Sequence, residues 1–275
     1  MAQFVVVPQW QGSSAPRAML LADGASAIAG DLPRARTQVL DVPLEAGDAL
    51  DSGVQRLSSL QRVRDVLIDS LHETLQRHPE DHAVVIGGDS GISPAVLSAL
   101  AVDPDDTALL WCSAQPGLCS PTTSVSGAFT DMAVRAMLAD EKMPLAATPG
   151  IAPEKVILVG ARSAENDDAQ LRERMTSVGV DQLADPASLA QAVARTGATR
   201  VFVHIDVDVL DPSSLSGVFT PAPFGASPSE LATALRTVRE HTSLAGACLA
   251  GFAPASPLDA VNDLGSILRL IGALA

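Results

Sequence analysis

Tyrosine is absent from this 275-residue sequence, and all aromatic residues together make up only 3% of it. The core must therefore be built from aliphatic side chains, and little is available for stacking a base or another ring. Basic residues are also few: 18 Lys and Arg against 32 Asp and Glu give a formal net charge of −14. This imbalance argues against nucleic acid or an anionic membrane as a partner.

Cysteines and long apolar runs are scarce as well. Cys112, Cys119 and Cys248 are odd in number and match no zinc-site spacing, so we expect reduced thiols. No apolar run approaches the length of a membrane span, and the first residues lack the basic and apolar regions of a signal peptide. We therefore expect a cytoplasmic protein that does not bind membranes.

What the sequence does contain is an alternation of short apolar runs and helical patterns. The runs typical of strands are Phe4–Val7, Ala83–Ile86, Ala108–Trp111, Lys155–Gly160, Val201–Val203 and Gly246–Phe252. Helices are predicted over Val54–Leu75, Ser93–Leu100, Gly127–Leu138, Asp168–Val178, Pro186–Arg195, Pro228–Glu240 and Leu258–Leu274. In contrast, Gln9–Gly53 is expected to be rich in loop, with short pieces such as Thr37–Val42. The alternation predicts one α/β domain over residues 1–275, with a mostly parallel sheet.

The most informative stretch is Val201–Pro212, where an apolar strand runs into three aspartates. Alternation along the strand places His204, Asp206 and Asp208 on one side. Ionised carboxylates at the end of a buried strand are costly unless they meet a cation or backbone donors. One interpretation is a single-cation site that also uses Asp89 or Glu165. The other, which we favour, is that the aspartates accept backbone N–H groups in the following loop.

This stretch resembles the Asp-x-Asp-x-x-Asp-Pro pattern of the ureohydrolase family, which includes arginases, agmatinases and formiminoglutamases. Three further segments resemble the other patterns of that family in order, from Gly87 to Pro257. The resemblance implies a three-layer α/β/α fold with a sheet of about eight strands. It also implies a homo-oligomer, trimeric or hexameric, and leaves room for assembly with an active paralogue.

Most metal-ligand positions of the family hold other residues in this chain. The family's Gly-Gly-Asp-His-Ser corresponds to Gly87–Gly91, so its ligand histidine is Ser90. The family's Trp-x-Asp-Ala-His-x-Asp begins here at Trp111, and its three ligand positions hold Ser113, Gln115 and Gly117. Only Asp206 and Asp208 remain of six positions, and two carboxylates are not expected to hold two manganese ions.

The substrate side of the resemblance has changed too. Ser126 keeps the family frame, but a family histidine is replaced by Thr130. The glutamate that grips a guanidinium in the family is replaced by Pro254. These substitutions predict that no cofactor is bound, the alternative being one manganese or other divalent ion on His204, Asp206 and Asp208.

Three functions remain open. The first is a pseudoenzyme that has lost ureohydrolase activity and acts as a binding or regulatory subunit. The second is a divergent hydrolase of a linear amidine or guanidino C–N bond with one residual metal. The third is a metal-free site for a small metabolite, formed by the loops Ser113–Ser126 and Val218–Pro228.

Two other chemistries have weaker support. Cys112 would be a nucleophile only if a histidine approached it, and a cysteine after an apolar strand is more often a small buried hydrophobe. Ser113, His204 and an aspartate resemble a hydrolytic triad, but no Gly-x-Ser-x-Gly elbow accompanies them. Asp89 and Asp211 are typical of a helix cap and a turn.

Overall fold

A central parallel β-sheet organises the protein in the computed structural model, which describes residues 1–139, 141–163 and 168–275. Within these ranges the sheet has eight strands in the order β2-β1-β3-β8-β7-β4-β5-β6, and every neighbouring pair is parallel. The strands are β1 Ala2–Val7, β2 Thr37–Val39, β3 His82–Gly87, β4 Thr107–Cys112, β5 Val156–Val159, β6 Thr176–Val178, β7 Arg200–Asp206 and β8 Ser243–Ala250. The predicted parallel α/β fold is confirmed.

Helices cover both faces of this sheet. They are α1 Leu20–Asp31, α2 Leu57–Arg77, α3 Ser93–Ala99, α4 Ala169–Glu173, α5 Ala187–Arg195, α6 Pro228–His241 and α7 Pro257–Leu274. Apolar residues of α1, α5, α6 and α7 pack on one face, whereas those of α2 and α3 pack on the other. The result is a three-layer α/β/α arrangement. None of the described helices is long and apolar enough to span a membrane.

The buried strands explain why aliphatic runs dominate the sequence. Each residue of β4 and β5 is buried, as expected for parallel strands covered on both faces. Helices α6 and α7 begin at polar caps. Ser227 caps α6 in a reciprocal arrangement with Glu230, and Ser256 caps α7 by accepting the Asp259 N–H.

Several predicted elements were wrong. The stretch assigned to loop contains α1, whose Gly24 and Ala25 lie buried and carry little of the periodicity that predicts a helix. Gly127–Leu138 forms two separate 3-10 turns, Phe129–Met132 and Arg135–Met137, rather than one helix. Asp168–Val178 divides into the short helix α4 and the edge strand β6.

His82 opens β3 and is partly buried. Its Nε2 lies 3.0 Å from the carbonyl oxygen of Leu274, near the end of α7. Burial lowers the pKa of His82 more than this hydrogen bond raises it.

Candidate functional site

A cavity of about 250 Å³ lies at the carboxyl end of the central strands. Parallel α/β sheets commonly bind ligands at this end. The segments that follow β3, β4 and β7 converge there. The lining residues are Ser13, Ser14, Ala15, Leu21, Asp89, Ser90, Trp111, Ser113, Gln115, Thr130, Asp131, Asp206, Asp208, Phe219, Thr220 and Gly251.

Asp206, the last residue of β7, has both carboxylate oxygens occupied by protein donors. Its Oδ2 accepts a short hydrogen bond from Ser90 Oγ, and its Oδ1 accepts the Asp208 N–H at 3.0 Å. Gly251 passes close by with φ of +85°. A Cβ atom at Gly251 would lie 2.1 Å from Asp206 Oδ1, so only glycine fits beside this carboxylate.

Asp208 lies in the 3-10 turn after β7 and is held in a similar way. Its Oδ1 accepts the Ala114 N–H at 2.9 Å, and the Ser113 hydroxyl also hydrogen-bonds to it. Arg162 does not pair with the Asp208 carboxylate. Its guanidinium instead donates to the backbone carbonyls of Gly160, Val209, Asp208 and Ala222, which joins the loops around the cavity.

The electrostatics of this pair follow from burial and proximity. Burial raises the pKa of Asp206, although the bond from Ser90 opposes the shift. Burial and the neighbouring Asp206 charge raise the pKa of Asp208 well above its ordinary value. Two carboxylates so close together disfavour double ionisation, so they share protons more readily than exposed aspartates do.

Asp89 also lines the cavity, but its carboxylate accepts hydrogen bonds that hold the surrounding loops together. Its Oδ1 accepts the Gln9 amide and the Gly91 N–H, and its Oδ2 accepts the Gly12 N–H at 2.8 Å. Burial raises its pKa to about 6, against the effect of these bonds. Asp89 therefore caps the turn before α3 and ties the loop after β1 to it, as the helix-cap interpretation predicts.

The structure brings together three of the four substituted ligand positions. Ser90, Ser113 and Gln115 line the cavity with Asp206 and Asp208, whereas Gly117 lies outside the lining. Gly117 has φ of +65° and accepts the Arg135 N–H through its carbonyl. Hydroxyls and an amide thus occupy positions where the resemblance implies anionic or imidazole ligands.

This donor set does not fit a pair of manganese ions. Among the residues described by the structure, no group of three or more His, Cys, Asp and Glu side chains is arranged to hold a metal ion. Hard divalent ions prefer about six oxygen ligands, and the oxygens of Asp206 already accept bonds from Ser90 and Asp208. The carboxylates are satisfied by protein donors.

His204 lies beneath the cavity and does not line it. The parallel register pairs it with Trp111, whose ring stacks on the imidazole with centroids 3.7 Å apart. Its Nδ1 lies 2.8 Å from Ser93 Oγ, and burial lowers its pKa to about 3. His204 precedes Asp206 by two residues on β7, and its ring stacks on Trp111, which does line the cavity.

The expected substrate-side residues are dispersed. Thr130 lines the cavity and donates its hydroxyl to the Gly12 carbonyl at 3.3 Å. Ser126 lies outside the lining and donates to Asp131 Oδ2. Pro254 is buried against Gly24 of α1. Glu165, named as a possible ligand, lies outside the described residues.

Neither nucleophile suggested by the sequence hydrogen-bonds to a histidine. Cys112 is fully buried in the apolar core, and burial raises the pKa of its thiol to about 12. Ser113 Oγ accepts the Gln115 N–H, while His204 bonds to Ser93, so the triad does not form. Asp211 accepts the N–H groups of Ser213 and Gly225, which is the expected turn role.

Sequence reasoning missed part of the cavity wall. Ser13, Ser14 and Ala15 come from the loop after β1, and Leu21 from the unpredicted helix α1. Asp131 lies in a 3-10 turn that was predicted as helix. The loop after β1 could have been predicted to line the cavity, because β1 is parallel to β3 and β7 and its carboxyl end lies at the same edge of the sheet.

Comparison with known proteins supports the same fold and identifies the family. The model of the arginase family matches residues 13–262. The chain belongs to the arginase family.

Two relatives and one solved structure illustrate the relation. An arginase from Bacillus caldovelox is 27% identical over 251 residues, covering 85% of this chain and 82% of that protein. An N(omega)-hydroxy-L-arginine amidinohydrolase from Streptomyces lavendulae is 25% identical, covering 63% of this chain and 62% of its own length. The solved Bacillus caldovelox arginase superposes with a TM-score of 0.82 at 23% identity, over 98% of each chain.

Proposed function

We propose that this arginase-family protein has lost the manganese pair and the ureohydrolase activity, and that it acts as a pseudoenzyme with a binding or regulatory role. The observation that carries the proposal is the hydrogen bond from Ser90 to Asp206. Ser90 stands where the family has a ligand histidine, so an internal donor takes the place of a cation beside this carboxylate. The Ala114 N–H does the same for Asp208.

The remaining ligand positions support the same conclusion. Ser113 and Gln115 supply no negative charge, and Gly117 supplies no side chain. Lowering the pKa of a bridging water between two metal ions requires several anionic ligands to hold those ions. The guanidinium-binding glutamate of the family is also replaced, by the buried Pro254. Binding of the metal pair and of a guanidinium group would thus both be impaired.

The scaffold is retained although the metal ligands are not. The cavity persists at about 250 Å³, with polar and aromatic walls. A retained cavity favours a role in binding a small molecule over a purely structural one. We propose a cytoplasmic homo-oligomer for the assembly, with pairing to an active paralogue as the alternative.

The test is an assay for urea release from L-arginine and agmatine, with and without added Mn²⁺. We expect no urea above the no-protein control in either condition. The Asp206→Asn variant serves as the reference, because it removes one of the two remaining ligand candidates. Turnover by the wild type that Mn²⁺ increases and Asp206→Asn abolishes would contradict the proposal.

A further inference from the structure

The deep wall of the cavity offers few free acceptors for a cation. Asp89 accepts bonds from Gln9, Gly12 and Gly91, and Asp206 accepts bonds from Ser90 and Asp208. These protein donors take up part of the acceptor capacity of each carboxylate, which leaves fewer lone pairs for a cationic ligand than an exposed aspartate offers. The deep wall is therefore a weaker cation site than its number of aspartates indicates.

The upper wall, in contrast, has uncommitted polar groups. Within residues 1–139, 141–163 and 168–275, the side chains of Gln115, Thr220 and Ser14 form no hydrogen bond. Asp131 uses Oδ2 for Ser124 and Ser126, which leaves Oδ1 available. An amide and two hydroxyls both donate and accept, and the carboxylate oxygen accepts.

Apolar surface accompanies these groups. Phe219, Leu21 and Trp111 form part of the wall, with Phe219 partly exposed. A ligand that fits must therefore combine several alternating donors and acceptors with a C–H face. An anionic ligand is disfavoured because Asp131 and the deeper aspartates would repel it.

We propose that the cavity binds a small, uncharged polyhydroxylated molecule of the sugar or cyclitol class, an inference that rests on the proposed loss of the metal site. Hydroxyls of the ligand pair with Gln115, Thr220, Ser14 and Asp131 Oδ1. Its C–H face packs on Phe219. The volume of about 250 Å³ suits a small metabolite rather than a drug-sized compound.

The experiment measures ligand-dependent melting temperature with a panel of monosaccharides and chiral cyclitols, each tested as both enantiomers. Sugars also stabilise proteins non-specifically because they are excluded from the surface. That effect is equal for two mirror-image compounds, whereas binding in a chiral cavity is not. We expect at least one member to give a saturable increase of about 3 °C or more that its enantiomer does not give.

Two variants locate the binding. Gln115→Leu removes the free amide but keeps the backbone bonds of this residue with Ser113 and Trp111. We expect it to weaken binding at least tenfold and to keep the wild-type melting temperature without ligand within about 2 °C. Gln191→Leu, at an exposed position on α5, is the matched control and should bind as the wild type does.

Intrinsic fluorescence gives an independent readout. Trp111 lines the cavity, and Trp10 is the other tryptophan of the sequence. In a Trp10→Phe background, the same compound should change the Trp111 emission with the same saturation curve.

The inference is overturned if no panel member gives an enantiomer-dependent shift, or if Gln115→Leu leaves such a shift unchanged. A different result would contradict the proposed function, namely urea release that depends on Mn²⁺. Stabilisation by agmatine but by no polyol would overturn the inference while leaving the loss of urea release intact.

Discussion

At the scale of single residues, the candidate site depends on side chains that complete one another's hydrogen bonds. Ser90 and Asp206 come from different strand ends and meet only because β3 and β7 lie near each other in the sheet. The pair forms an internal polar contact where the resemblance implies metal ligands. Two substitutions test how much this contact and its close packing stabilise the fold.

The Ser90→Ala variant should lower the free energy of unfolding by about 1–3 kcal/mol, because the partly buried Asp206 carboxylate loses a charge-assisted hydrogen bond to its Oδ2. Equilibrium unfolding in urea measures the change. Ser26→Ala, at an exposed position of α1, is the control and should stay within about 0.5 kcal/mol of the wild type. Equal effects of the two substitutions would show that the Ser90 bond does not stabilise the protein.

The Gly251→Ala variant should have a free energy of unfolding about 2–4 kcal/mol lower than that of the wild type. The left-handed backbone disfavours alanine, and the new methyl group would overlap Asp206 Oδ1. Gly272→Ala is the matched control, since nothing lies within 4 Å of a Cβ atom there and α7 favours alanine. Thermal unfolding compares the two, and a Gly251→Ala protein as stable as Gly272→Ala would contradict the packing around Asp206.

At the scale of elements, the end of α7 is tied to the start of β3 through His82. The neutral imidazole donates from Nε2 to the Leu274 carbonyl. Burial lowers the pKa of His82 below its ordinary value of 6.5. The unfolded chain therefore binds more protons than the folded chain once the pH falls below about 6.5, and the contribution of His82 to stability declines there.

We expect His82→Gln to reduce the loss of stability between pH 6.5 and pH 5. Glutamine can still donate an amide N–H to Leu274 but does not become charged. Chemical unfolding at a series of pH values measures the slope. His72→Gln, on the exposed side of α2, controls for the loss of one histidine. If the unfolding free energy of His82→Gln fell with pH as steeply as that of His72→Gln, His82 would not be the source of the pH dependence.

The elements differ in how far the sequence could predict them. Buried strands such as β4 and β7 were evident because both faces are covered and apolar residues run without interruption. Helix α1 was missed because its inward face uses Gly24 and Ala25, which carry little hydrophobic signal. The 3-10 turns after Gly127 have the composition of a helix, but Phe129 and Met132 of the first turn are buried in a small cluster with Leu57 and Leu60 of α2.

At the scale of the whole molecule, the parallel sheet brings the ends of β1, β3, β4, β7 and β8 to one edge. Convergence of Asp206 and Asp208 with Ser90 and Ser113 was predictable from motif order. Asp206 accepts the Asp208 N–H of the following loop, as the favoured interpretation predicts, but Ala114 N–H and Ser90 Oγ were not predictable because they reach the carboxylates only through long-range packing. The position of His204 under Trp111 depends on strand register, which the sequence alone does not define.

Restoring the family ligands tests whether the scaffold can still hold metal. We expect Ser90→His, Ser113→Asp, Gln115→His and Gly117→Asp together to confer Mn²⁺ binding, seen as a rise in melting temperature on adding Mn²⁺. A Cβ atom at position 117 would lie 3.2 Å from the Val134 nitrogen, so the triple variant that keeps Gly117 controls for strain. Absence of Mn²⁺ binding in both would show that the scaffold itself has changed.

The most direct test of the account is the metal content of the purified wild-type protein, measured by mass spectrometry before and after incubation with excess Mn²⁺ and desalting. We expect less than about a tenth of a manganese ion per chain in both samples, because two carboxylates already paired with protein donors do not provide a manganese site. One or two tightly held ions per chain would contradict it.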